Sequence, residues 1–217
     1  MHRHDQRSQW LAMALSALAG MVDAVGFLGS GGFFVSFMSG NTTRLGVGLG
    51  RANWADGALF ALMVITVFVC GVVLGTLAKR RIRLFANASA ILIAVAVLLT
   101  LAALLTQLSE PDLGVFALLA FSMGAMNLVF EDKGEVRIGV TYMTGALVKL
   151  GSHIADALLG TAERNWLPFL LLWLALAMGA GVGTLLFVYL SLGALWVVAG
   201  LGWLAAAASL MRRDGLG

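Results

Sequence analysis

The sequence predicts an all-α integral membrane protein: six transmembrane helices plus two re-entrant or broken helices, arranged as an inverted-topology internal repeat. Three observations predict it. The chain is 60% hydrophobic and only 12% charged over its 217 residues, where an ordinary soluble domain carries about 25% charged residues. Apolar runs of about 20 residues, the length that crosses a hydrocarbon core of about 30 Å, recur along it. The chain also repeats itself. Met38-Ser39-Gly40-Asn41-Thr42-Thr43-Arg44-Leu45-Gly46 is echoed by Met143-Thr144-Gly145-Ala146-Leu147-Val148-Lys149-Leu150-Gly151. Gly20-Met21-Val22-Asp23 is echoed by Gly124-Ala125-Met126-Asn127, and the run from Gly71 to Thr76 by that from Gly179 to Thr184. The offset drifts from 104 to 108 residues, as small loop insertions produce. A duplicated half in an apolar chain marks many transporters and channels. The chain reads as one membrane domain over 1–217, with repeat 1 at about 9–107 and repeat 2 at about 113–211.

The first strong span, 10–29, follows Arg3 and Arg7. It outruns a signal-peptide core and contains Asp23, so it reads as a retained helix. The stretch 33–50 is weaker, with glycines, hydroxyls and a cation in its middle. Span 57–78 ends on Lys79-Arg80-Arg81-Arg83, the largest basic cluster. Spans 85–107 and 113–131 are separated by the acidic loop Ser109-Glu110-Pro111-Asp112. The stretch 138–160 is the second weak one. Spans 166–188 and 190–210 meet at the uncharged turn Ser191-Leu192-Gly193 and end on Arg212-Arg213.

Cytoplasmic loops carry an excess of Lys and Arg. If 33–50 crossed fully, the basic cluster would lie outside. If 33–50 dips in and returns, the cluster and both termini are cytoplasmic and the acidic loop is outside. Each half then has three crossings, so the halves are inserted upside down relative to each other. The runner-up is eight crossings, with the motif segments as broken full-length helices.

The only prolines are Pro111 and Pro168, so glycine is left to break the motif helices. Ser39, Gly40 and Asn41 have the residue types of a bend followed by an N-cap, and Thr144 and Gly145 do in the second half. Helix starts near the midplane carry partial positive charge and free N–H groups that must line a cavity or find partners. Two such ends meeting would make a solute site. The paired glycines Gly71/Gly75 and Gly179/Gly183 read instead as close-packing contacts.

Charge inside hydrocarbon is costly and is usually functional or paired. A rise of about 1.5 Å per residue puts Asp23 and Arg44 at matching depth, which predicts an ion pair. The same arithmetic puts Asn127 beside Lys149. The core then holds two cations and one anion, which favours an anionic ligand. The alternative is loss of a proton from buried Lys149, with His153 and Asp156 extending a polar stripe as a proton relay.

These paired motifs resemble the YoaK-like family of uncharacterised bacterial membrane proteins. That family carries Gly-x-x-Asp before Thr-Gly-Asn, read here as Gly20-Met21-Val22-Asp23 and Ser39-Gly40-Asn41. Its second half carries Gly-x-Gln-Asn before Tyr-Met-Thr-Gly, read here as Gly124-Ala125-Met126-Asn127 and Tyr142-Met143-Thr144-Gly145. Serine replaces threonine at Ser39 and methionine replaces glutamine at Met126. The resemblance implies a bacterial cytoplasmic-membrane location and this architecture, and no activity.

The expected function is a small-solute transporter or channel, with Asp23, Ser39, Gly40, Asn41, Arg44, Asn127, Thr144, Gly145 and Lys149 at the solute site. The alternative is a non-transporting scaffold or sensor whose polar motifs fix helix packing. No nucleophile–base pair or paired carboxylate speaks for an enzyme. With one cysteine and three histidines, the sequence gives no metal or cofactor site. The expected partners are the bilayer and an unidentified small solute, not nucleic acid. Glycine-rich helix faces suit a homodimer and internal packing equally.

Overall fold

A computed structural model of the chain describes residues 3–52, 54–108, 113–132, 135–136, 141, 143–160 and 166–214. Eight helices account for most of them. They are α1 (Arg3–Gly29), α2 (Met38–Gly50), α3 (Phe60–Arg81), α4 (Ala88–Leu108), α5 (Leu113–Met126), α6 (Met143–Leu158), α7 (Leu167–Leu190) and α8 (Ala194–Asp214). A π-helical turn, Trp54–Leu59, leads into α3, and a 3-10 turn, Asn127–Phe130, continues α5. Two-residue strands β1 (Glu131–Asp132) and β2 (Glu135–Val136) form a small antiparallel hairpin.

Five stretches are long and apolar enough to cross a membrane: Gln9–Gly29, Gly57–Arg81, Ala88–Leu108, Leu113–Phe130 and Leu167–Met211. The last contains both α7 and α8, which meet at the 3-10 turn Ser191–Gly193. Large apolar side chains such as Val69, Val73, Leu185 and Val188 are exposed on the outside of the bundle. So much exposed apolar surface fits lipid rather than water. The acidic loop 109–112 lies outside the described residues.

Glycine decides which helices touch. In α1 a Cβ at Gly20 would run into the backbone oxygen of Leu176 on α7, and one at Gly179 of α7 into that of Ala17 on α1. In the other pair, a Cβ at Gly71 of α3 would meet the Phe121 oxygen, and one at Gly124 of α5 the Phe68 oxygen. Without hydrophobic drive between helices in lipid, backbone approach of this kind supplies the packing. The close-packing reading of Gly71 and Gly179 therefore holds. The α4 and α8 helices are joined by a buried hydroxyl bond of 2.9 Å between Ser89 and Ser209 and by Trp203 donating to Thr100. Leu15, Leu92, Leu99, Leu119, Met123 and Leu195 fill the space between α1, α4, α5 and α8.

The breaks fall elsewhere than expected. The chain turns after α1 at Gly31 and Gly32, whose φ values of +73° and +109° only glycine adopts freely. Gly40 lies inside α2, which begins at Met38 with Phe37 in the cap position and no side-chain cap. Ser39 is thus a first-turn residue and not a cap. Thr144 and Gly145 likewise lie in the first turn of α6, which begins at Met143. Before α2 glycine does break the chain, but the break precedes the motif by several residues.

Candidate functional site

The segment between α1 and α2 is held down by two side chains. Asp23 is on α1, one turn before Phe27. Its Oδ1 accepts from the backbone N–H groups of Val35 (2.8 Å) and Ser36 (2.9 Å), and its Oδ2 accepts from the Ser36 hydroxyl at 2.9 Å. Asn41 is fully buried in α2 and closes a two-point clamp on Phe34. Its Oδ1 accepts from the Phe34 N–H at 3.0 Å and its Nδ2 donates to the Phe34 carbonyl at 2.6 Å. A buried backbone group without a partner is costly in this setting. Asp23 and Asn41 supply partners for three consecutive residues of non-helical chain.

The second half has a simpler version. Thr141 donates to Asn127 Oδ1 at 3.1 Å, and Asn127 Nδ2 donates to the Met123 carbonyl at 3.0 Å. Both side chains are buried. Ser36→Asp23 and Thr141→Asn127 are thus corresponding bonds, from a hydroxyl just before the short helix to the last polar residue of the preceding span.

The starts of α2 and α6 meet at one place. A cavity of ≈ 310 Å³ is walled by Ser36, Met38 and Ser39 from one segment and Thr141, Thr144 and Gly145 from the other. A second, of ≈ 430 Å³, shares Ser36, Phe37, Thr141 and Met143 with it and extends along Asp23, Phe27 and Phe34. Neither α2 nor α6 has an acidic residue in its own first turn; the Asp23 carboxylate faces the chain just before α2 through Val35 and Ser36, and Asn127, in the corresponding place before α6, carries no charge.

Of the sequence-predicted site residues, Ser39, Thr144, Gly145 and Asp23 reach these cavities. Gly40 and Asn41 lie just behind, Gly40 against Phe34 and Phe37. The expected Asp23–Arg44 ion pair does not form. The guanidinium of Arg44 instead sits 5.0 Å from the ring centre of Phe33 and 5.5 Å from that of Phe27. The reason is the early start of α2. Measured from Met38, Arg44 lies about 9 Å along the helix, level with the turn beyond Asp23.

The expected Asn127–Lys149 contact is absent as well, since Asn127 is engaged by Thr141. Lys149 is exposed and lies 5.9 Å over the Phe169 ring, on which His153 stacks at 5.3 Å. Asp156 is half-buried two turns beyond Lys149. Glu131 is committed to Lys79, whose Nζ lies 2.5 Å from its Oε2 and also donates to the Glu131 carbonyl at 2.6 Å.

Sequence reasoning missed Ser36, Phe37 and Thr141. A signal for them exists. Ser36-Phe37-Met38-Ser39-Gly40 and Thr141-Tyr142-Met143-Thr144-Gly145 agree in residue type at every position, so the echo begins two residues earlier than Met38.

Residues 11–208 match the family described as Protein of unknown function (DUF1275). The chain is 38% identical over 205 residues to the UPF0700 transmembrane protein RA0705 of Rhizobium meliloti, covering 94% of this chain and 87% of that one. It is 28% identical over 160 residues to the UPF0700 transmembrane protein YoaK of Bacillus subtilis, covering 71% of each. No solved structure matches. With a match over almost the whole chain and transmembrane relatives on that scale, the protein is a membrane protein and belongs to the DUF1275 family.

Proposed function

We propose that the chain is a small-solute transporter or channel of the bacterial cytoplasmic membrane, selective for small anions, with its site where α2 and α6 begin. The observation that carries this reading is the pair of adjoining cavities walled in common by Ser36, Phe37, Thr141 and Met143. Helix N-termini favour anions through free N–H groups and a partial positive charge. Ser39 and Thr144 add hydroxyl donors beside them. Discontinuous short helices meeting at a solute site are a recurrent transporter device.

The architecture proposed with it is six crossings plus two short helices, as an inverted repeat with both termini cytoplasmic. The 13-residue α2 and 16-residue α6 are about 20 and 24 Å long, short of a core of about 30 Å. The glycine contacts support the pseudo-twofold relation, because α1 on α7 corresponds to α5 on α3 when the halves are exchanged. A non-transporting scaffold or sensor is the second reading. It is favoured by the commitment of Asp23, Asn41 and Asn127 to bonds within the protein.

Gly145 separates the two. A Cβ there meets nothing within 4 Å, and the residue walls the cavity. A Gly145→Leu side chain therefore starts from open space at the cavity wall, in a helix that leucine favours. The experiment is current on a solid-supported membrane from reconstituted protein, challenged with small anions, cations and neutral metabolites. The expected result is a saturating current with one small anion, lost in Gly145→Leu at unchanged melting temperature. Silence from folded protein across the panel, or a current indifferent to Gly145→Leu, removes the support for this site.

A further inference from the structure

Arg44 and Arg51 stand seven residues apart on α2 and its C-terminal cap, which is two helical turns and hence one face. Together with Gly31, Phe33, Gly48 and Gly57 they wall a cavity of ≈ 240 Å³, distinct in its lining from those at the helix starts. Its walls are low because three of them are glycines. Gly48 is fixed as glycine by packing, since a Cβ there would come within 2.7 Å of the Ala58 backbone nitrogen.

The two cations are held open. Arg44 is half-buried and lies against the rings of Phe27 and Phe33 and against Gly32. Ring contact engages the face of a guanidinium and leaves its edge, which carries five N–H donors, for acceptors. Among the described residues no carboxylate pairs with Arg44 or Arg51. The bland account of Arg51 is that a cation suits a helix C-terminus. That account leaves Arg44, mid-helix and half-buried beside the same cavity, unexplained. Two guanidinium groups with no carboxylate partner among the described residues, both walling a space of this size, match an oxyanion, which Arg binds with two parallel N–H bonds. At about 30 Å³ per water the cavity holds a few heavy atoms and their remaining water.

We propose that Arg44 and Arg51 form a second anion site, for a small phosphate-type oxyanion. It shares no lining residue with the cavities at the helix starts, the larger of which is walled by Phe27 and Phe34. The oxyanion is either free inorganic phosphate or the phosphate of an anionic lipid headgroup. The site is defined by binding alone and stands whether or not the protein carries flux.

The test is titration of inorganic phosphate, by calorimetry, into full-length protein in nanodiscs of phosphatidylcholine. The lipid source is examined by mass spectrometry of phosphatidylglycerol retained from mixed bilayers. Arg51 is exposed, so Arg51→Gln leaves the fold intact and is the principal variant; Arg44→Gln and Arg51→Lys accompany it. The expected result is phosphate binding weakened about tenfold by Arg51→Gln, the loss typical of a hydrogen bond to a charged group, and less by Arg51→Lys. Phosphatidylglycerol retained by the wild type and lost from Arg51→Gln, with no binding of inorganic phosphate, also supports the site and assigns it to a headgroup. Binding of neither probe, or binding indifferent to both arginines, overturns it. So does phosphate binding abolished by Ser36→Ala and not by Arg51→Gln, because the anion then sits at the helix starts.

Discussion

At the scale of single residues, the intramembrane polar groups hold backbone in place rather than hold each other. Asp23 satisfies two N–H groups and a hydroxyl, and Asn41 satisfies both polar atoms of Phe34. Asp23→Ala therefore leaves two buried donors without partners, at about 1–3 kcal/mol each. Ser36→Ala removes one side-chain bond, worth about 0.6 kcal/mol on the average for membrane helices. The expected order of melting temperatures in detergent is wild type above Ser36→Ala above Asp23→Ala, with Asn41→Ala also low; equal values for Ser36→Ala and Asp23→Ala would show that Asp23 carries no such load. Lys149→Ala behaves differently. Lys149 is exposed and its ring contact is worth about 0.5–1 kcal/mol, so this variant keeps its melting temperature within a few degrees and is a clean probe of flux. The importance of Asp23, Asn41 and Asn127 was legible, because polar side chains in an apolar run need partners. Their partners were not. Rise per residue fixes a height along a helix only once the first residue is known, and it says nothing of the direction in which a side chain points. A start at Met38 in place of Gly40 was enough to move Arg44 from Asp23 to Phe27.

At the scale of helices, the glycines sort into those that contact backbone and those that do not, within a single motif. Gly179 and Gly183 face α1, the first against Ala17 and the second with Met21 Cα 2.7 Å from where a Cβ would stand. Gly181, between them, would meet nothing within 4 Å. Gly179→Ala forces α1 and α7 apart, at about 1–3 kcal/mol for overpacking. Gly181→Ala is neutral or gains up to about 1 kcal/mol of helix propensity. Thermal unfolding of the two variants checks this directly, and a destabilised Gly181→Ala would mean that this face of α7 is covered by something, a second copy included. The spacing of small residues was enough to identify close packing. It was not enough to identify the partner, since α1 lies on α7 across most of the chain and α3 lies on α5 past the intervening α4. Such pairings follow from how the halves interlock, which no local pattern contains.

At the scale of the whole molecule, the all-helical, apolar character was legible because length and hydropathy are local properties. The cavities were not, because their walls come from segments about a hundred residues apart that only the folded halves bring together, as with Ser36 and Thr141. The insertion of the halves is the larger consequence, and two exposed positions decide it. Trp54 follows α2 and Leu84 follows α3, and both are well exposed. If α2 enters and returns to the side it left, Trp54 is outside and Leu84 cytoplasmic. If α2 crosses fully, both positions exchange sides. Lys79, Arg80 and Arg81 in the last turn of α3 and Arg83 just beyond weight the first arrangement, since cytoplasmic segments collect basic residues. The chain has one native cysteine, Cys70, in the middle of α3, so a Cys70→Ala background gives clean single-site labelling. Trp54→Cys is expected to react with a membrane-impermeant maleimide on intact cells, and Leu84→Cys only after permeabilisation. The reverse pattern would make α2 a full crossing, turn the short-helix geometry into that of a broken span, and overturn the inverted relation proposed above together with the midplane site proposed on it.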